Sequence, residues 1–147
     1  MDTNEINKLL MNEKKFIGVF ALDKLPKRKI NTPASLIINT DVSKKNGEHW
    51  VALVIVKNQA YYFDSFGLQI IDKEIFRFLS TIKCKEVTYS KKCIQSITSN
   101  MCGLFCILFV KLVKDKKQYE SFLDMFLENQ LRLNDHLVLE YLNYKIL

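Results

Sequence analysis

The sequence predicts an α+β fold, a small central mixed β-sheet flanked by helices, in one domain spanning residues 1–147. Three observations lead there. Trp50–Val56 and Ala60–Phe66 are β-branched and aromatic runs joined by Lys57, Asn58 and Gln59, a hairpin signal at the centre of a sheet. Cys102–Lys114 is apolar almost all round and longer than ten residues, which reads as a buried helix rather than a strand. Segments with helical periodicity lie on both sides of these runs, without an internal repeat. A chain of 147 residues matches the ~100–200 residues of one domain, and two domains would both be undersized. With 48% apolar and 26% charged residues, it can bury a core and is excluded from disordered and collagenous classes.

In chain order, Thr3–Met11 places Ile6, Leu9 and Leu10 at helical spacing behind polar capping residues. Phe16–Leu22 reads as a strand or extended segment. Pro26 and Pro33 punctuate a basic loop, and Ala34–Asn39 is an apolar run compatible with helix or strand. Asp41–Glu48 is rich in turn formers and leads into the hairpin. Ile71–Leu79 recovers a 3.6-residue period with Asp72 placed to cap it, and Lys85–Tyr89 reads as a further strand. Residues 94–100 are polar, with Ser99 and Asn100 as cap candidates for the buried helix. Tyr119–Asn129 and Asn134–Tyr144 complete the chain as two amphipathic helices.

The longest uncharged apolar run, Met101–Val110, is short of the ~17–20 residues of a spanning helix, and the start lacks a basic region followed by an apolar one. Neither a membrane segment nor a secretory signal is predicted, so the expected setting is intracellular, reducing and not secreted. The net charge of +6 comes mostly from lysine pairs and the cluster Lys27, Arg28 and Lys29. Such a surface attracts polyanions without a dedicated site, which leaves non-specific DNA binding as an accessory property. Cys84, Cys93, Cys102 and Cys106 are spaced nine, nine and four residues apart, with no C-x-x-C pair, so no metal site is expected. Four free thiols are expected instead.

Only two histidines exist. His136 sits amid Asn134, Asp135 and Leu137 on a terminal helix, whereas His49 stands where a glycine-containing loop enters the strand Trp50–Val56. Strand ends present side chains to clefts on a rigid backbone, which favours His49 as a chemical base. Cys102 opens the buried helix, where unpaired backbone N–H groups and the helix dipole lower a thiol pKa; a protonated imidazole lowers it further. Cys106, one turn on, has no such help and reads as a small buried hydrophobe. A Cys/His couple needs an orienting group. Asp64 ends the second hairpin strand at the sheet edge where His49 begins the first, and fifteen residues between them suit two strands and a tight turn.

These residues lie in stretches that resemble the adenovirus-type maturation cysteine proteases, the adenain family, whose core is shared with the deSUMOylating Ulp-type proteases. The likeness is carried by Gly47–Trp50 (GEHW), Tyr61–Gly67 (YYFDSFG) and Gln95–Cys106 (QSITSNMCGLFC), with weaker likeness in FIGVFALDKLP, LIINT and NDHLVLEYL. It spans nearly the whole chain in the order His, acid, Gln, Cys. It implies His49 as base partner, Asp64 as orienter, Cys102 as nucleophile and Gln95 as oxyanion-hole donor beside the Cys102 backbone N–H, with Trp50 and Gly103 in support. A neutral amide suits an oxyanion hole because it donates without titrating. Six residues separate Gln95 from Cys102 and Met101 precedes the nucleophile, both closer to adenain than to the Ulp branch, which usually has five and an Asp. Asp64 stands where adenovirus enzymes often carry Glu, and the chain is shorter between the Cys helix and the last helix.

The resemblance implies a monomeric cysteine endopeptidase of a DNA virus or virus-like element. It would cut capsid or core precursors at Gly-containing sites during virion maturation, in the virion and in the cytoplasm or nucleus of the infected cell. The alternatives are a Ulp-type isopeptidase acting on ubiquitin-like conjugates and an idle binding module of the same fold. No cofactor is required by the chemistry, but family members are activated by a capsid-derived peptide, through a disulfide to a cysteine eleven residues before the Gln, and by viral DNA. Cys84 occupies that spacing.

Overall fold

The structure is a computed structural model of the whole chain, and it describes residues 1–40, 49–70 and 72–143. The turn-rich segment Asp41–Glu48, together with Ile71 and Tyr144, therefore lies outside the described residues. The elements follow the order α1 (Thr3–Leu10), β1 (Phe16–Ala21), a 3-10 turn (Leu22–Lys24), β2 (Ala34–Asn39), β3 (Trp50–Val56), β4 (Gln59–Phe63), α2 (Lys73–Thr81), β5 (Glu86–Tyr89), α3 (Cys102–Leu112), α4 (Lys116–Asp124) and α5 (Leu131–Tyr141).

The five strands form one mixed sheet in chain order, parallel at the two outer pairs and antiparallel at the two inner ones. The ambiguous run Ala34–Asn39 is a strand, because a strand buried on both faces reads as a continuous apolar run. β3 is buried through six of its seven residues for the same reason. Its even-numbered residues Trp50, Ala52 and Val54 pack with Tyr61 and Phe63 against α1, α3, α4 and α5. Val51, Leu53 and Ile55 face Leu22, Leu25 and the α2 residues Ile75, Phe78 and Leu79. Two layers of helix thus sandwich the sheet and hold the hairpin rigid.

The core beside the site is aromatic. Phe63 stacks on Phe109 with centroids 4.9 Å apart and meets Phe122 edge-on at 5.2 Å. α3 has no polar face to turn outward: every residue from Cys102 to Val110 is buried.

Helix ends differ from the sequence expectation in instructive ways. α1 is opened by Asp2, whose carboxylate accepts from the Glu5 N–H while the Glu5 carboxylate accepts from the Asp2 N–H, a reciprocal cap. Asp72 caps α2 as expected. α4 starts at Lys116 rather than Tyr119, because Asp115 caps it by accepting from the Gln118 N–H at 2.8 Å. α5 starts at Leu131 rather than Asn134. Ser99 and Asn100 do not cap α3: its first turn follows Met101 and receives no side-chain cap. The Ser99 side chain is committed to Gln95 instead.

Candidate functional site

The register of the hairpin brings the first two residues together. β3 and β4 pair with Ala52 opposite Phe63, so continuing the ladder sets Asp64 opposite Val51, and His49 lies diagonally across on the same face. His49 extends the β2–β3 ladder, its carbonyl accepting from the Thr40 N–H at 2.9 Å. His49 Nε2 lies 2.9 Å from Asp64 Oδ1. A carboxylate can only accept, so Nε2 carries the proton, and this fixes the tautomer that leaves Nδ1 for other chemistry. Nδ1 is buried and has no hydrogen-bond partner.

Asp64 is itself held. It is 6% exposed, and its Oδ1 also accepts from the Phe66 N–H at 2.8 Å, while its carbonyl accepts from the Gly67 N–H at 2.9 Å. The turn Asp64–Gly67 requires its glycine twice over. Gly67 has φ +72, and a Cβ there would stand 2.5 Å from the Lys91 carbonyl oxygen. That close approach lets the Ser65 carbonyl accept from the N–H groups of Ile94 at 2.9 Å and Gln95 at 3.2 Å. One turn therefore carries the acid and anchors the segment that carries Gln95.

Cys102 and His49 line one cleft of about 360 Å³ together with Trp50, Phe66, Gln95 and Ser99. Burial pushes the Cys102 thiol up, but the His49 side chain and the backbone N–H groups of Trp50 and Gly103 outweigh it and bring the thiol below its ordinary value. The uncapped first turn of α3 leaves the Gly103 N–H free for an anion, while the Trp50 N–H comes from the start of β3. At His49 burial likewise opposes the charged form, and Asp64 and Cys102 overcome it, raising the imidazole from 6.5 to about 9. Both shifts favour a thiolate–imidazolium pair. Cys106, fully buried one turn later, is pushed well up by that burial, which keeps it a thiol.

Gln95 is fully buried in the cleft wall. Its Nε2 donates to the Ser99 carbonyl at 3.0 Å and to Ser99 Oγ at 3.1 Å, and its Oε1 accepts from the Ser65 hydroxyl. Asp135, raised by burial, receives hydrogen bonds from the Ser96 backbone and the Ser99 side chain, so α5 supports this segment from below. Trp50 is 7% exposed, and a Cβ at position 103 would stand 2.9 Å from Met1 Sδ and 3.3 Å from Trp50 Cδ1, so Gly103 lets the first turn of α3 approach both closely. The ring stacked on the imidazole is that of Phe66, with centroids 5.0 Å apart.

Phe66, Ser65, Ser99 and Asp135 were not singled out by sequence reasoning as members of the site. Cys84 lies at the other end of the sheet. Its thiol donates to the Asn58 carbonyl at 3.5 Å and the Glu86 carbonyl at 3.2 Å, beside the β3–β4 turn and about 20 Å of strand away from His49. Burial pushes its pKa up. His136 is exposed on α5 and is not part of the cleft. All four cysteines are free thiols. Among the described residues no cluster of three His, Cys, Asp or Glu side chains is placed to hold a metal, and no helix is long and apolar enough to cross a membrane.

Residues 16–131 match the family model described as adenovirus endoprotease. The chain belongs to the adenovirus endoprotease family. Among family proteases, that of frog adenovirus 1 is 29% identical over 109 residues, covering 65% of this chain and 53% of the relative. The avian adenovirus 8 protease is 32% identical over 112 residues, covering 65% and 54%. The human adenovirus B serotype 3 protease is 33% identical over 112 residues, covering 67% and 50%. The chain thus spans about half the length of the curated relatives it matches. In fold it is similar to the crystal structure of an ASFV protease, with a TM-score of 0.50, 14% identity, and coverage of 85% of this chain and 65% of that one. That likeness is one of fold, in the mixed sheet and the helices that flank it.

Proposed function

We propose that this chain is a cysteine endopeptidase in which Cys102 is the nucleophile, His49 its base partner, Asp64 the orienter of His49, and Gln95 with the Cys102 backbone N–H the oxyanion donors. The observation that carries this reading is one cleft in which Cys102, at the start of α3, lies with Gln95 and with an imidazole that Asp64 orients at 2.9 Å, an arrangement that lowers the thiol despite its burial.

The steps follow from the atoms. The Cys102 thiolate attacks the scissile carbonyl carbon, and the carbonyl π electrons move onto oxygen. That oxyanion takes N–H donors from Gln95 and from the start of α3. One Gln95 proton stays on the Ser99 carbonyl. The other is shared with the Ser99 hydroxyl, which can rotate away when a stronger acceptor arrives. His49 Nδ1–H then protonates the departing amine as the C–N bond breaks. Neutral His49 next takes a proton from water, whose oxygen displaces sulfur from the thioester and restores the ion pair.

The substrate reading is a capsid or core precursor polypeptide cut at Gly-containing sites, in the infected cell and virion; family membership supports it. A second hollow of about 530 Å³, lined by Leu22, Tyr62, Leu68 and Ile75, shares His49 and Phe66 with the cleft, so an extended chain seated across His49 would touch both. Side chains alone supply the chemistry in this reading, with an activating peptide at Cys84 or DNA on the basic surface acting as accessories.

The test is hydrolysis of recombinant capsid precursor set beside a panel of ubiquitin-like conjugates. Cys102→Ala should abolish cleavage, and Cys106→Ala should keep it within about tenfold, since only Cys102 has sulfur at a helix N-terminus. Equal loss in both variants would remove the nucleophile assignment, and cleavage of the conjugates alone would establish an isopeptidase instead.

A further inference from the structure

We propose that Ser65 is a positioning residue that holds the Gln95 amide with its nitrogen available to the cleft, by satisfying the buried amide oxygen. This inference rests on the oxyanion role proposed for Gln95 and adds to it a reason why the amide presents nitrogen rather than oxygen.

The partners decide the orientation. The Ser99 carbonyl can only accept, so the Gln95 atom 3.0 Å from it must be nitrogen. The other end is then a carbonyl oxygen with no exposed surface, and a buried acceptor needs a donor. Ser65 Oγ supplies it, and Ser65 is itself completely buried, so water cannot substitute. A Gln side chain is nearly symmetric in shape, and turning it over exchanges donor and acceptor without moving other atoms. The inverted amide would set a carbonyl dipole against the developing oxyanion, where repulsion replaces stabilisation. The acceptor-only Ser99 carbonyl selects against that inversion, and the Ser65 hydroxyl anchors the selected orientation by satisfying the oxygen it leaves buried.

The backbone reinforces the arrangement. The Ser65 carbonyl accepts from the N–H groups of Ile94 and Gln95, so Ser65 holds Gln95 by main chain and side chain at once. The Asp64 carboxylate, one residue before, holds the imidazole. Two adjacent residues of one turn therefore set the two halves of the site, Asp64 the ion pair and Ser65 the oxyanion arm. Removing the Ser65 hydroxyl should disturb the second half and spare the first.

A double-mutant cycle with thiol alkylation as an independent readout tests this. Gln95→Ala should lower kcat by roughly 10² to 10³. Ser65→Ala should lower kcat by about tenfold, the scale of one lost hydrogen bond, with KM within about twofold. The rate at which iodoacetamide modifies Cys102, read by mass spectrometry, should stay within about twofold, because the ion pair is untouched. In the Gln95→Ala background, Ser65→Ala should cost nothing further. Ser65→Cys, of similar size but a weak donor, should fall between wild type and Ser65→Ala, and it serves should the alanine variant not fold. A Ser65→Ala loss of equal size in both backgrounds, a parallel fall in Cys102 alkylation, or full activity of Ser65→Ala beside a defective Gln95→Ala would each overturn the positioning role alone. Wild-type kcat in Gln95→Ala would instead remove the oxyanion reading on which it stands.

Discussion

At His49 burial and charge pull in opposite directions, and the balance is what makes the residue useful. Burial favours the neutral ring, but Asp64 and Cys102 favour the cation and win, which raises the pKa to about 9. The imidazolium is therefore intact through neutral pH and is lost as pH rises through about 9, so activity should fall on that alkaline side. Asp64 is the largest contribution favouring the cation, and Asp64→Asn should shift the alkaline limb of kcat/KM to lower pH. The same variant should lose up to roughly 10⁴ in kcat yet stay measurable, whereas His49→Ala should leave almost nothing. Steady-state profiles of the three proteins decide it; an active His49→Ala beside an inactive His136→Ala would reject the pairing. His49, Asp64 and Cys102 were legible in the sequence because each sits at the end of an element whose period is readable. Phe66 and Ser65 were not. Their roles arise only when the turn at Gly67 folds against the Lys91 backbone, a contact between segments with no periodic signal.

Among the elements, α5 shows most clearly how distant chain supports the cleft. Asn134 is 2% exposed; its Oδ1 accepts from the Leu127 N–H at 3.0 Å, and its Nδ2 donates to the Leu127 carbonyl at 2.6 Å and the Ile94 carbonyl at 3.0 Å. It thus ties the loop after α4 and the segment leading into Gln95 to one helix. Asn134→Ala would strand the buried Ile94 carbonyl and release the part-buried backbone groups of Leu127, and should cost about 1–3 kcal/mol, lowering the melting temperature by roughly 5–10 °C. A melting temperature within about 1 °C of wild type would show that water or a rearranged loop satisfies those groups. The starts of α4 and α5 both lie three residues before the sequence expectation, α5 opening at Gln130 without a side-chain cap to mark it and α4 behind a cap that apolar spacing does not reveal. Apolar spacing marks the buried face of a helix, whereas its first turn is marked by a cap, and Asp115 in a run of charges reads as surface loop. The buried α3 was legible in type because no strand carries so long an apolar run, and its first turn, with no side-chain cap, leaves the Gly103 N–H beside the Cys102 thiol.

For the molecule as a whole, the sheet acts as a ruler. Its central hairpin presents His49 and Asp64 at one end and the Cys84 region at the other, while α3 crosses behind and brings Cys102 to the first end. The α+β class and the central pairing of β3 with β4 followed from the hairpin and its flanking helices, but the strand order and the parallel pairing of β1 with β2 and β4 with β5 did not. Those pairings are long-range, set by which edges remain open after the helices cover both faces. The proposed chemistry requires this scaffold to hold a thiolate–imidazolium pair between Cys102 and His49. The most direct measurement is the pH dependence of Cys102 alkylation, followed by mass spectrometry of the peptide that bears it, in the wild type and in His49→Ala. The account predicts that wild-type Cys102 reacts with an inflection below the ordinary thiol range and that His49→Ala moves this inflection upward, to or above that range, because burial then acts unopposed. The same inflection in both proteins, or a Cys102 that stays unreactive while Cys84 or Cys93 is modified, would contradict it.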